Sequence, residues 1–198
     1  MRQKIAVIDY NAGNVQSVMY ALEKFDVDAV LTRDAAIISG ADKVLFPGVG
    51  EASTTMSFLK SLGFDQLIPE LKQPVLGICL GLQLLCTHSE ENDTTCLNIL
   101  PAEVKKFSTR NGLFKVPHMG WNQIGFDHSS WLPDALNGQY VYFVHSYYAE
   151  LNPFTIAQCE YEVPFSAVIE KDNFFATQFH VEKSGPVGLK ILEAFLKI

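Results

Sequence analysis

The segment Pro74-Val75-Leu76-Gly77-Ile78-Cys79-Leu80-Gly81 constrains the fold more than any other stretch of this chain. Val75 to Ile78 carry no polar side chain, the mark of a strand covered on both faces at the centre of a parallel sheet. The run ends in G-x-C-x-G and passes into Leu80 to Cys86, which reads as a helix. Strand, tight turn and helix in that order form a nucleophile elbow with sulfur in place of hydroxyl. Such a turn strains the nucleophile's backbone and crowds its neighbours, so glycines beside Cys79 have a steric reason. At the start of the helix the sulfur also meets the positive end of the dipole, which favours thiolate over thiol. A lone cysteine more often packs as a small hydrophobe. A packed cysteine has no need of flanking glycines, however, so Cys79 is read as a nucleophile and Cys86, Cys96 and Cys159 as structural.

The rest of the first half suits the same sheet. Ile5 to Ile8 reads as a strand, and after the loop Asp9 to Asn14 the apolar positions Val15, Val18, Met19, Leu22 and Phe25 recur at helical spacing. Val27 to Leu31 and Val44 to Phe46 follow as strands, the latter ended by Pro47-Gly48, and a helix runs through Met56 to Leu62. From about Val104 the pattern changes to strands with aromatic alternation, including Tyr140 to Val144, Thr155 to Cys159 and Phe174 to Phe179, before a closing helix over Val187 to Lys197. No repeat, low-complexity tract or linker divides the chain. The expected architecture is a single α/β domain over residues 1–198, three layers with a mainly parallel central sheet and an antiparallel extension.

Composition narrows the class of function. A formal charge of −7 with no long basic run argues against nucleic acid and anionic membranes as partners. The N-terminus reaches Asp9 too soon to be a signal-peptide core, and no apolar stretch approaches membrane-spanning length. The four cysteines show neither zinc spacing nor disulfide density, so a reducing, cytoplasmic location is expected, and Asn92-Asp93-Thr94 is then a chance sequon.

A cysteine nucleophile needs a group that takes its proton and returns it to the leaving amine, and histidine has the appropriate pKa. Of five histidines, His180 ends the apolar run Phe174 to Phe179 and is followed two residues on by Glu182. In extended backbone such residues point to the same side, so Glu182 can hold the imidazole in one tautomer. Alone, this pair would read as an exposed strand end; beside the elbow it reads as base and orienter. His88, His118, His128 and His145 form no ligand pattern with the cysteines or acids, so neither a metal nor a cofactor is expected.

Acyl transfer also needs donors for a developing oxyanion. The Leu80 N–H directly follows the nucleophile, and the loop Pro47-Gly48-Val49-Gly50 can supply a second amide, although an ordinary turn explains that loop equally well. The segments Val116 to Asn122 and Tyr142 to Tyr148 mix rings with amide, hydroxyl and imidazole groups. That mixture suits a polar pocket, a partner surface or simple core packing, and residue chemistry alone leaves all three open.

Taken together, Gly77-Ile78-Cys79-Leu80-Gly81-Leu82-Gln83, Pro47-Gly48-Val49-Gly50 and Phe179-His180-Val181-Glu182-Lys183-Ser184 resemble the class I, triad-type glutamine amidotransferases along nearly the whole chain. More narrowly, Asp9-Tyr10-Asn11-Ala12-Gly13-Asn14, Val116-Pro117-His118-Met119-Gly120-Trp121-Asn122 and Tyr142-Phe143-Val144-His145-Ser146-Tyr147 are similar to the glutaminase subunits of imidazole glycerol phosphate synthase. The resemblance implies a flavodoxin-like fold and a heterodimer with a (β/α)8-barrel cyclase subunit in histidine biosynthesis. In that family ammonia from L-glutamine passes through the barrel to a phosphoribulosyl intermediate, giving imidazole glycerol phosphate and an aminoimidazole carboxamide ribotide. By position it implies Cys79, His180 and Glu182 as triad, Val49 and Leu80 as oxyanion amides, Gly50, Gln83, Glu91, Ser146 and Tyr147 as glutamine-binding residues, and Asn14 and Trp121 towards the cyclase.

The chain departs from many family members in having Val181 where they have Pro between the triad His and Glu. Valine is comfortable in extended backbone, so altered loop rigidity is expected rather than lost chemistry. Because a peptide preceded by Gly48 rotates at low steric cost, the Val49 N–H is also expected to be gated by the partner. Two other readings compete: a glutaminase serving a different biosynthetic synthase, and a catalytically silent flavodoxin-like binding module. The aromatic segments argue against the first and the intact Cys79, His180 and Glu182 against the second.

Overall fold

Successive residues of the first strand alternate between two apolar cores: Ile5 and Val7 pack on one face and Ala6 and Ile8 on the other, all four fully buried. A strand with no solvent face must lie inside a sheet covered by helices on both sides. The computed structural model describes residues 2–10, 15–108, 114–127 and 129–198. Its first half contains β1 (Gln3–Ile8), α1 (Val15–Leu22), β2 (Val27–Thr32), α2 (Ala35–Ser39), β3 (Lys43–Gly48), α3 (Ala52–Ser61), α4 (Phe64–Glu70), β4 (Val75–Cys79) and α5 (Leu80–Leu85). There follow β5 (His88–Ser89), β6 (Thr94–Thr95), β7 (Glu103–Lys106), β8 (His118–Gln123), β9 (Tyr140–His145), β10 (Tyr147–Ala149), β11 (Thr155–Glu160), β12 (Pro164–Lys171), β13 (Phe174–Thr177) and α6 (Gly185–Leu196).

The main sheet has seven strands in the order β11-β12-β13-β4-β3-β1-β2. From β2 through β13 neighbouring strands run parallel, and β12 and β11 extend the sheet antiparallel, as the hydrophobic pattern predicts. Helices α1 and α6 bury Val15, Val18, Leu22, Ile191, Leu192 and Phe195 against one face; α3, α4 and α5 bury Leu59, Phe64, Leu82 and Leu84 against the other. A two-stranded ribbon, β8 with β9, and a small four-stranded sheet, β10-β7-β5-β6, sit beside this frame. No helix among the described residues is long and apolar enough to cross a membrane.

Several elements differ from the expected ones. Helix α2 is one short turn capped by the Asp34 side chain, which accepts from Ala36 N and Ile37 N, and five residues are too few to show a period. Helix α4 starts after Gly63 at φ 72° and contains Pro69, two features that read as loop in sequence. The strand expected to reach Phe179 stops at Thr177, so His180 lies beyond the ladder.

Candidate active site

Register places the chemistry. Strands β3, β4 and β13 are parallel neighbours, with Gly48 opposite Cys79 and Thr177 opposite Ile78, so the segments leaving their C-terminal ends converge on one point. Ligands in open α/β sheets bind at such strand ends. Cys79 sits at φ 55°, ψ −107°, a conformation that residues with a Cβ rarely adopt. The glycines are dictated by close approach. A Cβ on Gly81 would lie 1.9 Å from the Phe46 carbonyl oxygen, and one on Gly77 would lie 2.8 Å from Leu85 Cδ1. At Gly48 it would meet the Tyr10 hydroxyl at 2.2 Å, so this glycine makes room for a buried phenol rather than supplying positive φ. Positive φ occurs two residues later, at Gly50, φ 121°. The Tyr10 hydroxyl donates to the Pro47 carbonyl at 2.5 Å and ties β3 to the end of β1. Burial, with Cys79 nearby, pushes that phenol well above its usual pKa, so it stays a donor.

His180 and Glu182 meet, though not by the extended geometry expected. After His180, at φ −84° and ψ 103°, Val181–Lys183 forms a 3-10 turn, and this turn swings the carboxylate back onto the ring. His180 Nδ1 donates to Glu182 Oε1 at 2.7 Å, with both side chains 2% exposed. Val181 is buried in the core rather than stretched along a strand, which corrects the expectation of extended backbone there. The turn is stitched to β9: His180 N donates to the Tyr142 carbonyl at 3.0 Å, and Tyr142 N donates to Ser184 Oγ at 2.9 Å.

Burial alone would lower the His180 pKa, but the Cys79 sulfur and the Glu182 carboxylate outweigh it and lift the imidazole to about 10. Its Nε2 is buried beside the sulfur without a hydrogen bond of full geometry. The sulfur itself is approached by the Gln178 side-chain amide, which donates to Sγ at 3.9 Å. The other thiols differ. Burial pushes Cys96 and Cys159 up to about 12 and Cys86 higher still, which leaves them unreactive packing groups.

A pocket of about 330 Å³ opens onto Cys79 and His180 and is lined by Val49, Gly50, Leu80, Gln83, Glu91, Ser146 and Tyr147, together with Pro117, Val144 and His145. The triad cysteine and histidine and every expected oxyanion and glutamine-binding position therefore border one small space; Glu182 stands behind His180 and borders a separate cleft with Ser17 and Lys24. Gln83 uses both amide protons inside the protein, on the Tyr147 carbonyl at 2.8 Å and Gln178 Oε1 at 3.2 Å, so only its carbonyl oxygen is left for a ligand. Glu91 Oε2 accepts from Ala52 N at 2.7 Å, and burial raises its carboxyl above the ordinary value. A larger cavity, about 610 Å³, lies between Trp131, Phe175 and α6, away from the nucleophile.

Trp121 lies outside the pocket, 56% exposed on β8, its ring edge-on to Tyr142 at 5.9 Å. Asn14 and His128 fall outside the described residues. His88 sits between Asp93 and Glu103, and no group of three or more His, Cys, Asp or Glu converges among the described residues. Sequence reasoning missed Tyr10, Gln178 and the pair His118–His145. A signal existed for Gln178, a polar residue interrupting the apolar run before His180; the pair needed the β8–β9 register, which sets His118 opposite His145.

The chain matches the family model described as glutamine amidotransferase class-I over residues 6–198. It is 54% identical over 195 residues to the imidazole glycerol phosphate synthase subunit HisH of Bacteroides thetaiotaomicron, covering 98% of this chain and 100% of the relative. The HisH subunit of Shewanella oneidensis is 42% identical over 98% of this chain and 96% of its own. Among solved structures, a glutamine amidotransferase superposes with a TM-score of 0.74 at 16% identity, covering 98% of this chain and 97% of that one. PurLQS from Thermotoga maritima superposes at 0.68 and 15% identity, over 100% of this chain and 99% of that one. These two structures support the fold.

Proposed function

The chain belongs to the class I glutamine amidotransferase family, and from that premise we infer that it is the glutaminase subunit of imidazole glycerol phosphate synthase, hydrolysing L-glutamine to glutamate and ammonia in histidine biosynthesis. One observation carries the reading at the level of chemistry: a strained cysteine, a histidine backed by a carboxylate, and two loop ends rich in backbone amides share a pocket of about 330 Å³, a size suited to an amino acid.

In the proposed mechanism the Cys79 sulfur, as thiolate beside the protonated His180, attacks the glutamine carboxamide carbon. The Leu80 and Val49 amides take the oxyanion. As the tetrahedral intermediate collapses, the C–N bond breaks and His180 gives its proton to the departing ammonia, leaving a glutamyl thioester. Neutral His180 then takes a proton from water as the oxygen attacks the thioester, and glutamate leaves as the thiolate reforms. Glu182 accepts from Nδ1 throughout, so the imidazole keeps one orientation while it exchanges a proton at Nε2. Glu91, with Gln83, Ser146 and Tyr147, is assigned to the glutamine α-amino and carboxylate groups, and Gly50 lets the loop pass close to the ligand.

The partner is proposed to be a (β/α)8-barrel cyclase that receives the ammonia, bound through the face bearing Trp121 and the segment that contains Asn14. A cytoplasmic location fits a biosynthetic pair of this kind. Release of ammonia without a waiting acceptor is wasteful, so hydrolysis is expected to be slow in the isolated chain and to rise on assembly. The decisive experiment is Cys79→Ala in the assembled complex. Glutamine-dependent synthesis should vanish while ammonia-dependent synthesis persists; near-normal glutamine hydrolysis by the variant would remove Cys79 as the nucleophile.

A further inference from the structure

Strand β8 has two faces with different jobs. Met119 and Trp121 point outward, 63% and 56% exposed, while His118 points inward and is buried. Beneath β8 a line of hydrogen bonds runs to the nucleophile, and one carbonyl group sets the direction of every proton along it. His145 Nδ1 lies 2.7 Å from the Tyr147 carbonyl oxygen. A carbonyl can only accept, so Nδ1 carries the proton. With one proton, His145 must accept at Nε2, which lies 3.0 Å from His118 Nδ1. His118 therefore also carries its proton on Nδ1 and accepts at Nε2, where Asn122 Nδ2 approaches at 3.4 Å. Free neutral imidazole favours the proton on Nε2, so two neighbouring rings in the Nδ1–H form are a specific structural demand.

Beyond the carbonyl the line continues to the chemistry. The Tyr147 carbonyl accepts a second hydrogen bond from Gln83 Nε2, Gln83 donates in turn to Gln178 Oε1, and Gln178 Nε2 meets the Cys79 sulfur. Burial keeps both imidazoles neutral, His118 at about 4 and His145 at about 3, the second opposed by its carbonyl partner and lowered further by His118 and His180. A second proton on His145 would set two N–H groups against each other across the 3.0 Å contact, and one on His118 would set Nε2–H against the Asn122 amide.

We propose that His118 and His145 are positioning residues for glutamine: locked as neutral Nδ1–H tautomers, they transmit the placement of β8 to the Tyr147 carbonyl and thereby hold the Gln83 and Gln178 amides beside Cys79. The kinetic part of this inference rests on the glutaminase reading; the tautomer part does not. His118 does not itself border the pocket, its ring stacking instead on Phe143 and Tyr161 at 4.8 and 4.0 Å, and its Nδ1 reaches the pocket through His145.

Two measurements test it. In a nitrogen-15 correlation spectrum of the full chain, the two imidazoles should each be neutral with the proton on Nδ1, unchanged from neutral pH down to about pH 5. Either ring protonated on Nε2 alone, or titrating near the ordinary histidine value, would overturn the proposal. In the complex with the partner subunit, His118→Phe keeps a stacking ring and loses both nitrogens, and should raise the glutamine KM about fivefold to tenfold with a smaller fall in kcat. His118→Asn restores a donor where Nδ1 stood and should bring KM back to within about threefold of the parent. Phenylalanine and asparagine variants with equal KM, or a loss confined to kcat, would sink the positioning role. If the unmodified complex hydrolyses no glutamine, the functional reading fails and the spectrum alone judges the two rings.

Discussion

His180 and His145 are buried almost equally, 1% and 6% exposed, yet one is lifted to about 10 and the other pushed down to about 3. Burial opposes the charged imidazole in both places. His180 has a carboxylate 2.7 Å from one nitrogen and a sulfur beside the other, and these hold the proton against burial. His145 has a carbonyl and another imidazole, neither of which offers a negative charge. The contrast teaches that the partner, not the depth, decides whether a buried histidine moves protons or holds shape.

The comparison breaks first at the charged site. His180→Ala should cut glutamine hydrolysis by the complex by up to about 10⁴-fold, the upper range for a lost acid and base, while ammonia-dependent synthesis persists. A loss under about tenfold in a glutamine assay would remove His180 from proton transfer.

Stability against pH is the next largest effect, and the two sites carry opposite signs. His145, depressed in the fold, binds a proton in the unfolded chain first, so its contribution is lost as pH falls from about 6.5 towards about 3. Chemical denaturation at about pH 7 and about pH 4.5 should show a His145→Asn chain losing less stability on acidification than the parent, by at most about 2 to 3 kcal/mol. His180, raised in the fold, contributes below about 6.5 and is lost as pH rises through about 10, so the parent should weaken more than His180→Ala over the alkaline range. Parallel curves for parent and variants would show that these rings do not titrate as described.

Removing the counter-charge sharpens the contrast. Glu182→Gln leaves an acceptor near Nδ1 but no charge, and should lower kcat by about one to two decades, less than His180→Ala, with the pH–rate profile displaced towards acid. A loss equal to that of His180→Ala would mean that the carboxylate does more than orient. The smallest effect is expected at the far end of the neutral line. Asn122→Ala should raise the glutamine KM less than about threefold, since its contact with His118 is a long one and its donor also serves the Glu160 carbonyl at 2.9 Å.

Much of the parallel half was legible. Four-residue apolar runs between turns and the helical spacing of Val15, Val18 and Leu22 follow from burial on both faces, a local consequence of composition. Elements with little local signal were not. Helix α2 is too short for a period, α4 begins after glycine and contains proline, and the two- to four-residue strands β5, β6 and β7 exist because neighbours supply their hydrogen bonds. For the candidate site, the glycines around Cys79 announced a crowded turn, and crowding is what surrounds them. The His180–Glu182 contact was expected for a reason that does not hold, since a 3-10 turn and not extended backbone closes it.

By itself the sequence determined which strand is central, where its sharp turn falls, and that a cysteine elbow and a separate His-x-Glu pair have the chemistry for acyl transfer, because the elbow and the pair are each written within a few positions. Only the tertiary structure decided that Gly48 makes room for the Tyr10 hydroxyl, that Gln178 and not another amide approaches the sulfur, and that His118 faces His145 with one carbonyl ordering their protons. Those facts depend on strand register and on which ring nitrogens meet. Partners 27, 37 or 99 positions apart are joined by the sheet and not by the chain, so no local pattern encodes them.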